Sequence, residues 1–383
     1  MVSVHWDGCQ SYKLDLDLGQ GLVGTAAAER RPVRVGDVRT EPRFVDCGDD
    51  QVRSEMALPL LVKGRLIGVL DLESYHKDAF RGADERLLAT LADNLAIALE
   101  NAALYERLKT EEQALAADLR TAREMQRVLL PRRTPWLPGL QTAVAYCPAR
   151  HLGGDLYDFL SFGDNRTAIA VGDVAGKGTP AALYGSLAIG SLRERASAAN
   201  AEGCCFAPSR VLAELNTTLH HLGIGNRFLA MAFALYDTEA RTMLIANSGL
   251  PHPYLVRRDG SVEAVVAEGV PLGLLPDRRY DDLSLALAPG EALIICSDGV
   301  EESLGAKGEE FGRDRVEASI GRHWRGGSAR SLAQALLDDS ASYGAEDDGD
   351  DRTIVVLKLT GGAAASGGTE KPPEAAARRD DDR

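Results

Sequence analysis

The chain has 383 residues, of which 45% are hydrophobic and 26% charged, with a formal net charge of −14. That length suits two domains with cores of their own, and the acidic balance argues against nucleic acid as the main partner. Six cysteines, at positions 9, 47, 147, 204, 205 and 296, are scattered without ligand spacing and read as reduced thiols rather than a disulfide framework. No apolar run is expected to reach membrane-spanning length, and residues 1–25 lack a basic start followed by an apolar core. The expectation is a cytoplasmic protein with no membrane partner.

In chain order, the first hundred residues alternate strand signals with turn residues at Gly21–Gly24, Pro32–Val35, Asp37–Phe44, Ser54–Leu60 and Leu66–Leu72. Asp84 to Leu130 then run without Gly or Pro and predict one long helix. Along it Leu91, Ala98, Tyr105, Glu112, Leu119 and Gln126 form a heptad column. The partner column is Leu95 and Ala102 early, but Leu108, Leu115, Ala122 and Leu129 later. A coiled coil with such a phase break would join two copies in parallel and pass a rotation or register change along the chain. Glu112 and Gln126 within the seam keep open the alternatives of a rigid spacer or a helix packed on its own domain, while the seam favours dimerisation.

Beyond the helix, Thr167–Gly172 reads as a short buried strand. It leads to Asp173 and a glycine-rich turn, Gly176-Lys177-Gly178-Thr179, and Pro180–Ile189 follows as a small-residue helix. A phosphate-cradling loop would need Ser or Thr directly after the lysine, so the nucleotide reading fails. A turn that merely needs glycine competes evenly with a metal site at this segment alone. Three further turns tip the balance. Gly153-Gly-Asp155-Leu-Tyr-Asp158 precedes the central stretch, Asp298-Gly299 follows the apolar strand Ile294–Cys296, and Asp350-Asp351-Arg-Thr353 runs into the strand Ile354–Lys358. One Asp-Gly turn is ordinary loop chemistry; four at strand ends point to a shared site.

Oxygen-only ligands suit hard divalent cations, Mg2+ or Mn2+, rather than zinc. Convergent carboxylates repel unless cations sit between them, which suggests a two-metal centre with ions about 3.5 to 4 Å apart that activates water for attack on phosphorus. Between Ala198 and Phe206 the chain reads as a loop, and Asn226–Phe233 as a loop entering a strand. Arg227 there is a candidate phosphate contact or a plain surface arginine. After Leu359 the composition turns to Gly, Ala, Pro and charge, which predicts a disordered tail.

These motifs, in this order, resemble the PPM-type serine/threonine phosphatases in their bacterial sporulation-E-like branch. The resemblance runs from about Ala122 to Lys358 and also rests on Ala122–Pro131, Ala246–Gly249 and Pro271–Gly273. It implies an α/β (α+β) fold, an α-β-β-α sandwich with two antiparallel sheets, and a binuclear Mn2+ or Mg2+ site. It makes Asp155, Asp173, Asp298 and Asp350 the ligand carboxylates and the carbonyl of Val174 a further ligand, with Asp173 and Asp298 central to catalysis. Asp158 and Asp351 become supporting or turn residues, and Thr353 a strand-entry residue. The pattern departs at Ala175, where some members carry a general-acid His, and at Leu250, where His is usual; His252 reads as a surface or packing residue. His151 could touch phosphate, although a lone His is more often structural.

The segment from about residue 15 to 105 resembles a GAF sensor domain that starts late. It serves equally well as a dimerising domain without a ligand. The predicted layout is a GAF-like domain over 1–105, a helical linker over 106–131, the phosphatase domain over 132–360 and the tail over 361–383. The resemblance implies a homodimeric phosphoserine/phosphothreonine protein phosphatase whose helix belongs to a regulatory switch. Its implied substrate is a phosphorylated anti-sigma-factor antagonist. The rival is a catalytically silent module that binds the regulator without hydrolysis. A diguanylate cyclase reading of Gly153-Gly154-Asp155 fails, because Leu-Tyr-Asp follows in place of Glu-Phe.

Overall fold

The structure is a computed structural model that describes residues 16–45, 50–149, 152–162, 165–202, 207–224, 227–325, 327–344 and 349–360. His151, Asn226, the cysteines at 9, 47, 204 and 205, and the tail beyond 360 lie outside the described residues. The chain divides into two compact units, Met1–Ala116 and Ala117–Arg383.

In the first unit, helix α1 (Gly21–Glu29) precedes strands β1 (Val33–Val35), β2 (Ser54–Val62) and β3 (Arg65–Ser74). The strands form an antiparallel sheet in the order β1-β2-β3. Gly21–Gly24, expected as a strand signal, is instead the first turn of α1. Leu22 and Ala26 lie one turn apart and are both buried with Val33, Val35, Val38 and Ala57, so the helical period prevails there. Around Asp37 the chain makes a short 3-10 turn, Val38–Thr40, whose start is held by the Asp37 carboxylate accepting from the Arg39 N–H.

Helix α2 (Gly82–Leu129) is 48 residues long. It has no Gly or Pro after its first residue, and it opens on Asp84 and Glu85, which suit its positive N-terminal end. Ala92 and Ala96 pack against Met56, Leu58 and Leu60. Leu91, Tyr105, Leu108 and Leu115 of the heptad columns are exposed. One stretch of α2 is long and apolar enough to cross a membrane by length and composition, contrary to the sequence expectation. Its leucines and alanines offset Asp93, Asn94, Glu100 and Asn101, which would be costly in hydrocarbon.

The second unit is a four-layer sandwich. Its strands are β4 (Leu140–Cys147), β5 (Leu156–Phe162), β6 (Arg166–Val174), β7 (Leu229–Asp237), β8 (Thr242–Asn247), β9 (Tyr254–Val256), β10 (Val262–Ala264), β11 (Leu283–Ala286), β12 (Ala292–Cys296) and β13 (Arg352–Leu359). One antiparallel sheet runs β10-β9-β12-β13-β4, the other β11-β8-β7-β6-β5. Helices α3 (Thr179–Glu202) and α4 (Pro208–Leu222) cover the second sheet. Helices α6 (Gly312–His323) and α7 (Ala329–Tyr343) cover the first, and the four-residue α5 (Asp298–Glu301) follows β12. Residues 198–202, expected as loop, continue α3.

Strand alternation builds these layers. Ile169 and Val171 of β6, Leu293 and Ile295 of β12, and Val355 and Leu357 of β13 meet between the sheets. Their neighbours face outward instead. Ala168 and Ala170 pack under Ala188 and Leu192 of α3, while Ile294 and Val356 pack under Ile320 of α6 and Leu336 of α7. Both faces are buried, so these strands read as continuous apolar runs. Each branched side chain removed from water contributes about 1.5 to 3 kcal/mol, and Ile295→Ala would cost about 2 to 5 kcal/mol.

Candidate metal centre

The strand pattern that buries Ile169 and Val171 puts Asp173 on the same face of β6, one residue from the strand's end at Val174. Asp155 directly precedes β5, Asp298 follows Ser297 at the end of β12, and Asp350 lies just before β13. Two carboxylates therefore come from each sheet, and Asp173 lies within electrostatic reach of the other three.

Burial, then the neighbouring charges of Asp298 and Asp350, push the Asp173 carboxyl up to about 7. Asp155 is held well above the usual carboxylate range by burial and by Asp173, against the pull of two hydroxyl hydrogen bonds. Asp298 is pushed up to about 6 by burial, Glu302 and Asp350, while the Lys177 ammonium lowers it. These are the electrostatics of buried carboxylates crowded against one another, with the Lys177 ammonium a partial counter-charge.

Asp155 is held firmly. Its Oδ2 accepts from Ser297 Oγ at 2.7 Å and from Thr353 Oγ1 at 2.6 Å. Its Oδ1 is buried without a hydrogen-bond partner, as is Oδ1 of Asp298. A Cβ on Gly154 would fall 2.9 Å from the Val174 carbonyl oxygen and 3.3 Å from Asp173 Oδ1, so glycine there keeps open the space into which that carbonyl and carboxylate point. Orphaned carboxylate oxygens with a backbone carbonyl nearby suit a hard divalent cation. Among the described residues no three His, Cys, Asp or Glu side chains stand close enough together to hold a metal ion as they are placed.

The supporting residues have distinct tasks. Asp351 Oδ1 accepts from the Ala149 N–H at 2.7 Å, and its Oδ2 accepts from the N–H groups of Gly154 and Asp155, which pins the Gly153-Gly154-Asp155 turn to the start of β13. Asp158 pairs with Arg193 at 2.7 Å, and Arg193 also donates to the Leu129 carbonyl, so Asp158 ties β5 to α3 and to the end of α2. Thr353 is more than a strand-entry residue, since its hydroxyl orients Asp155. Gln126, expected in a coiled-coil seam, instead makes two hydrogen bonds with the Gly153 backbone, donating at 2.6 Å and accepting at 3.2 Å.

Several candidate residues have other roles. Arg227 donates to the Ala175 carbonyl at 3.3 Å. Its guanidinium fills the place of a Gly176 Cβ, and φ of Gly176 is +98°. Asn247 closes a tight turn by donating to the Leu250 carbonyl at 2.8 Å and accepting its N–H at 3.0 Å, with the Leu250 side chain in the core. His252 lines an open cleft of about 360 Å³ that Asp298, Glu301, Glu302 and Arg313 share. Cys296 is fully buried and its thiol is pushed up by that burial, which leaves it an inert packing group.

A two-sheet sandwich with carboxylates at its strand ends defines the protein's class. The solved PP2C domain of SiaA from Pseudomonas aeruginosa has this fold: it matches 65% of the chain and 98% of its own length, with a TM-score of 0.57 and 22% identity. The family model described as Stage II sporulation protein E matches residues 163–360, and the chain belongs to that family. A GAF domain model matches residues 4–100. Phosphoserine phosphatase RsbU of Bacillus subtilis is 29% identical over 202 residues, which are 52% of this chain and 57% of that protein. Protein YtsP of Bacillus subtilis is 38% identical over 84 residues, 22% of this chain and 51% of that protein. The chain thus spans about half the length of these curated relatives.

Proposed function

We propose that the chain is a metal-dependent phosphoserine/phosphothreonine protein phosphatase of the bacterial signalling kind. The observation that carries this reading is the mutual charge of strand-end aspartates from both sheets on Asp173, with buried unpaired oxygens on Asp155 and Asp298 and the Val174 carbonyl near Asp173 beside Gly154. In this reading Asp155, Asp173, Asp298, Asp350 and the Val174 carbonyl hold two Mn2+ or Mg2+ ions. Bound there, the ions would supply an activated water and charge neutralisation for the phosphate. Asp173 from one sheet and Asp298 from the other, each within reach of the other's charge, stand at the reacting centre in this reading. Ser297 and Thr353 fix the direction of Asp155, and Asp351 and Gln126 fix the turn that carries it.

The phosphatase domain of this proposal spans 132–360, with the GAF-like domain over 1–105 and the linker over 106–131. The exposed leucines of α2 are its dimer seam, and Gln126 is the point at which the helix touches the site's turn. The named relative is a phosphoserine phosphatase, which supports a phosphoprotein substrate, and we take that to be an anti-sigma-factor antagonist in the cytoplasm. The test is hydrolysis of p-nitrophenyl phosphate by the full chain with Mn2+, with Mg2+ and with EDTA, beside Asp173→Asn and Asp298→Asn. Metal-dependent turnover that falls at least a hundredfold in both variants is expected. Absence of turnover in wild type would refute the enzyme and leave the silent partner-binding module.

A further inference from the structure

Lys177 is the charged residue of the glycine turn, and the proposed site has not used its chemistry. It sits between Gly176 and Gly178, whose φ values of +98° and +78° let the turn pass close to the carboxylates. Its Nζ lies 3.4 Å from Asp350 Oδ2 and donates to the Gly349 carbonyl at 3.4 Å. It also lowers the Asp298 carboxyl against the pull of burial. The ammonium thus faces two of the four aspartates at once. Both of its contacts are long, and its side chain is 38% exposed, so little holds it in place.

We propose that Lys177 alternates between two anions, the Asp350 carboxylate and the phosphate of the substrate. This rests on the phosphatase reading above, in which Asp350 is a metal ligand. A divalent cation on Asp350 competes with the lysine for the same oxygen, because two cations cannot share it without repulsion. Displaced, the ammonium keeps its place on the rim of the site, where a lysine binds phosphate as a mobile point charge. Lys177 then acts as a phosphate-contacting residue and, in the free enzyme, as a competitor of the metal.

The two roles predict changes of opposite sign, which a merely structural lysine would not give. In the full chain, Lys177→Gln should bind Mn2+ more tightly by up to about fivefold in calorimetry without substrate, the scale of an exposed ion pair. The same variant should bind inorganic phosphate, measured as a competitive inhibitor with saturating Mn2+, about tenfold more weakly, with KM for a phosphoserine peptide raised more than kcat is lowered. Lys177→Arg should restore phosphate inhibition toward wild type. Weaker Mn2+ binding in Lys177→Gln, or unchanged phosphate inhibition, would overturn the proposal while wild-type turnover still upheld the phosphatase. A wild-type chain that neither binds Mn2+ nor hydrolyses the peptide would overturn both.

Discussion

Asp351→Asn separates a residue that shapes the site from those that would hold ions. Its two carboxylate oxygens serve three backbone N–H groups, those of Ala149, Gly154 and Asp155, and the side chain is buried. Asparagine keeps one oxygen and turns an NH2 toward a backbone N–H that has no other partner. A hydrogen bond to a charged group contributes about 1.5 to 3 kcal/mol, and a buried donor left unpaired costs about 1 to 3 kcal/mol. Losing a charge that burial disfavours offsets part of this, which leaves about 2 to 4 kcal/mol of destabilisation. Against a domain stability of about 5 to 15 kcal/mol, that loss is large. Urea unfolding of the full chain in EDTA, followed by tryptophan fluorescence, reads it: Trp136 and the buried Trp324 both belong to the second unit. Asp155→Asn is the matched control. It relieves a buried carboxylate with an unpaired oxygen, so the metal-free protein should be as stable as wild type or more so. A loss below about 0.5 kcal/mol in Asp351→Asn, or equal losses in the two variants, would refute the reasoning.

Other consequences are open to measurement. Gly154→Ala places a methyl group 2.9 Å from the Val174 carbonyl oxygen, so Mn2+ affinity by calorimetry should fall about 10- to 100-fold, and unchanged affinity would contradict the site. Gln126→Ala removes both hydrogen bonds to Gly153 and should lower turnover about tenfold, with a stability loss of about 1 to 2 kcal/mol; wild-type kinetics would leave α2 without influence on the turn. In the first unit, Glu55 is buried and is pushed up to about 9 by that burial and by Asp71 and Glu73. The folded state therefore holds a proton that the unfolded chain releases near pH 4, and stability falls as pH rises from there toward 9. Glu55→Gln should flatten that slope in thermal unfolding followed by circular dichroism, and an unaltered slope would count against it.

The aspartate turns were legible in the sequence because each sits where an apolar run stops, and runs buried on both faces are hard to mistake. The two-sheet architecture came with the family resemblance that the order of the motifs carries. Less legible was anything that depends on partners far away in the chain. Nothing in the sequence marks Ser297, and only folding shows its hydroxyl on Asp155, 142 residues earlier. Gln126 fell into a heptad column because it occupies the right phase, yet its amide is used locally against Gly153. Gly21–Gly24 read as strand because paired glycines weaken a helix in isolation; tertiary burial of Leu22 and Ala26 decided otherwise. In α2, polar residues hid an apolar stretch that overall composition nevertheless carries.

The pairing of β13 with both β12 and β4 sets a timetable for synthesis. β4 pairs only with β13 in its sheet, and Asp155 meets Thr353 across 198 residues of chain. At a ribosomal rate of about 5 to 20 residues per second, that interval lasts roughly 10 to 40 seconds. Through it, the nascent unit carries an unpaired strand edge and an incomplete set of aspartates. A chain stalled before Arg352 would have neither closed sheet nor finished centre, so the proposed activity would first appear when the last strand arrives.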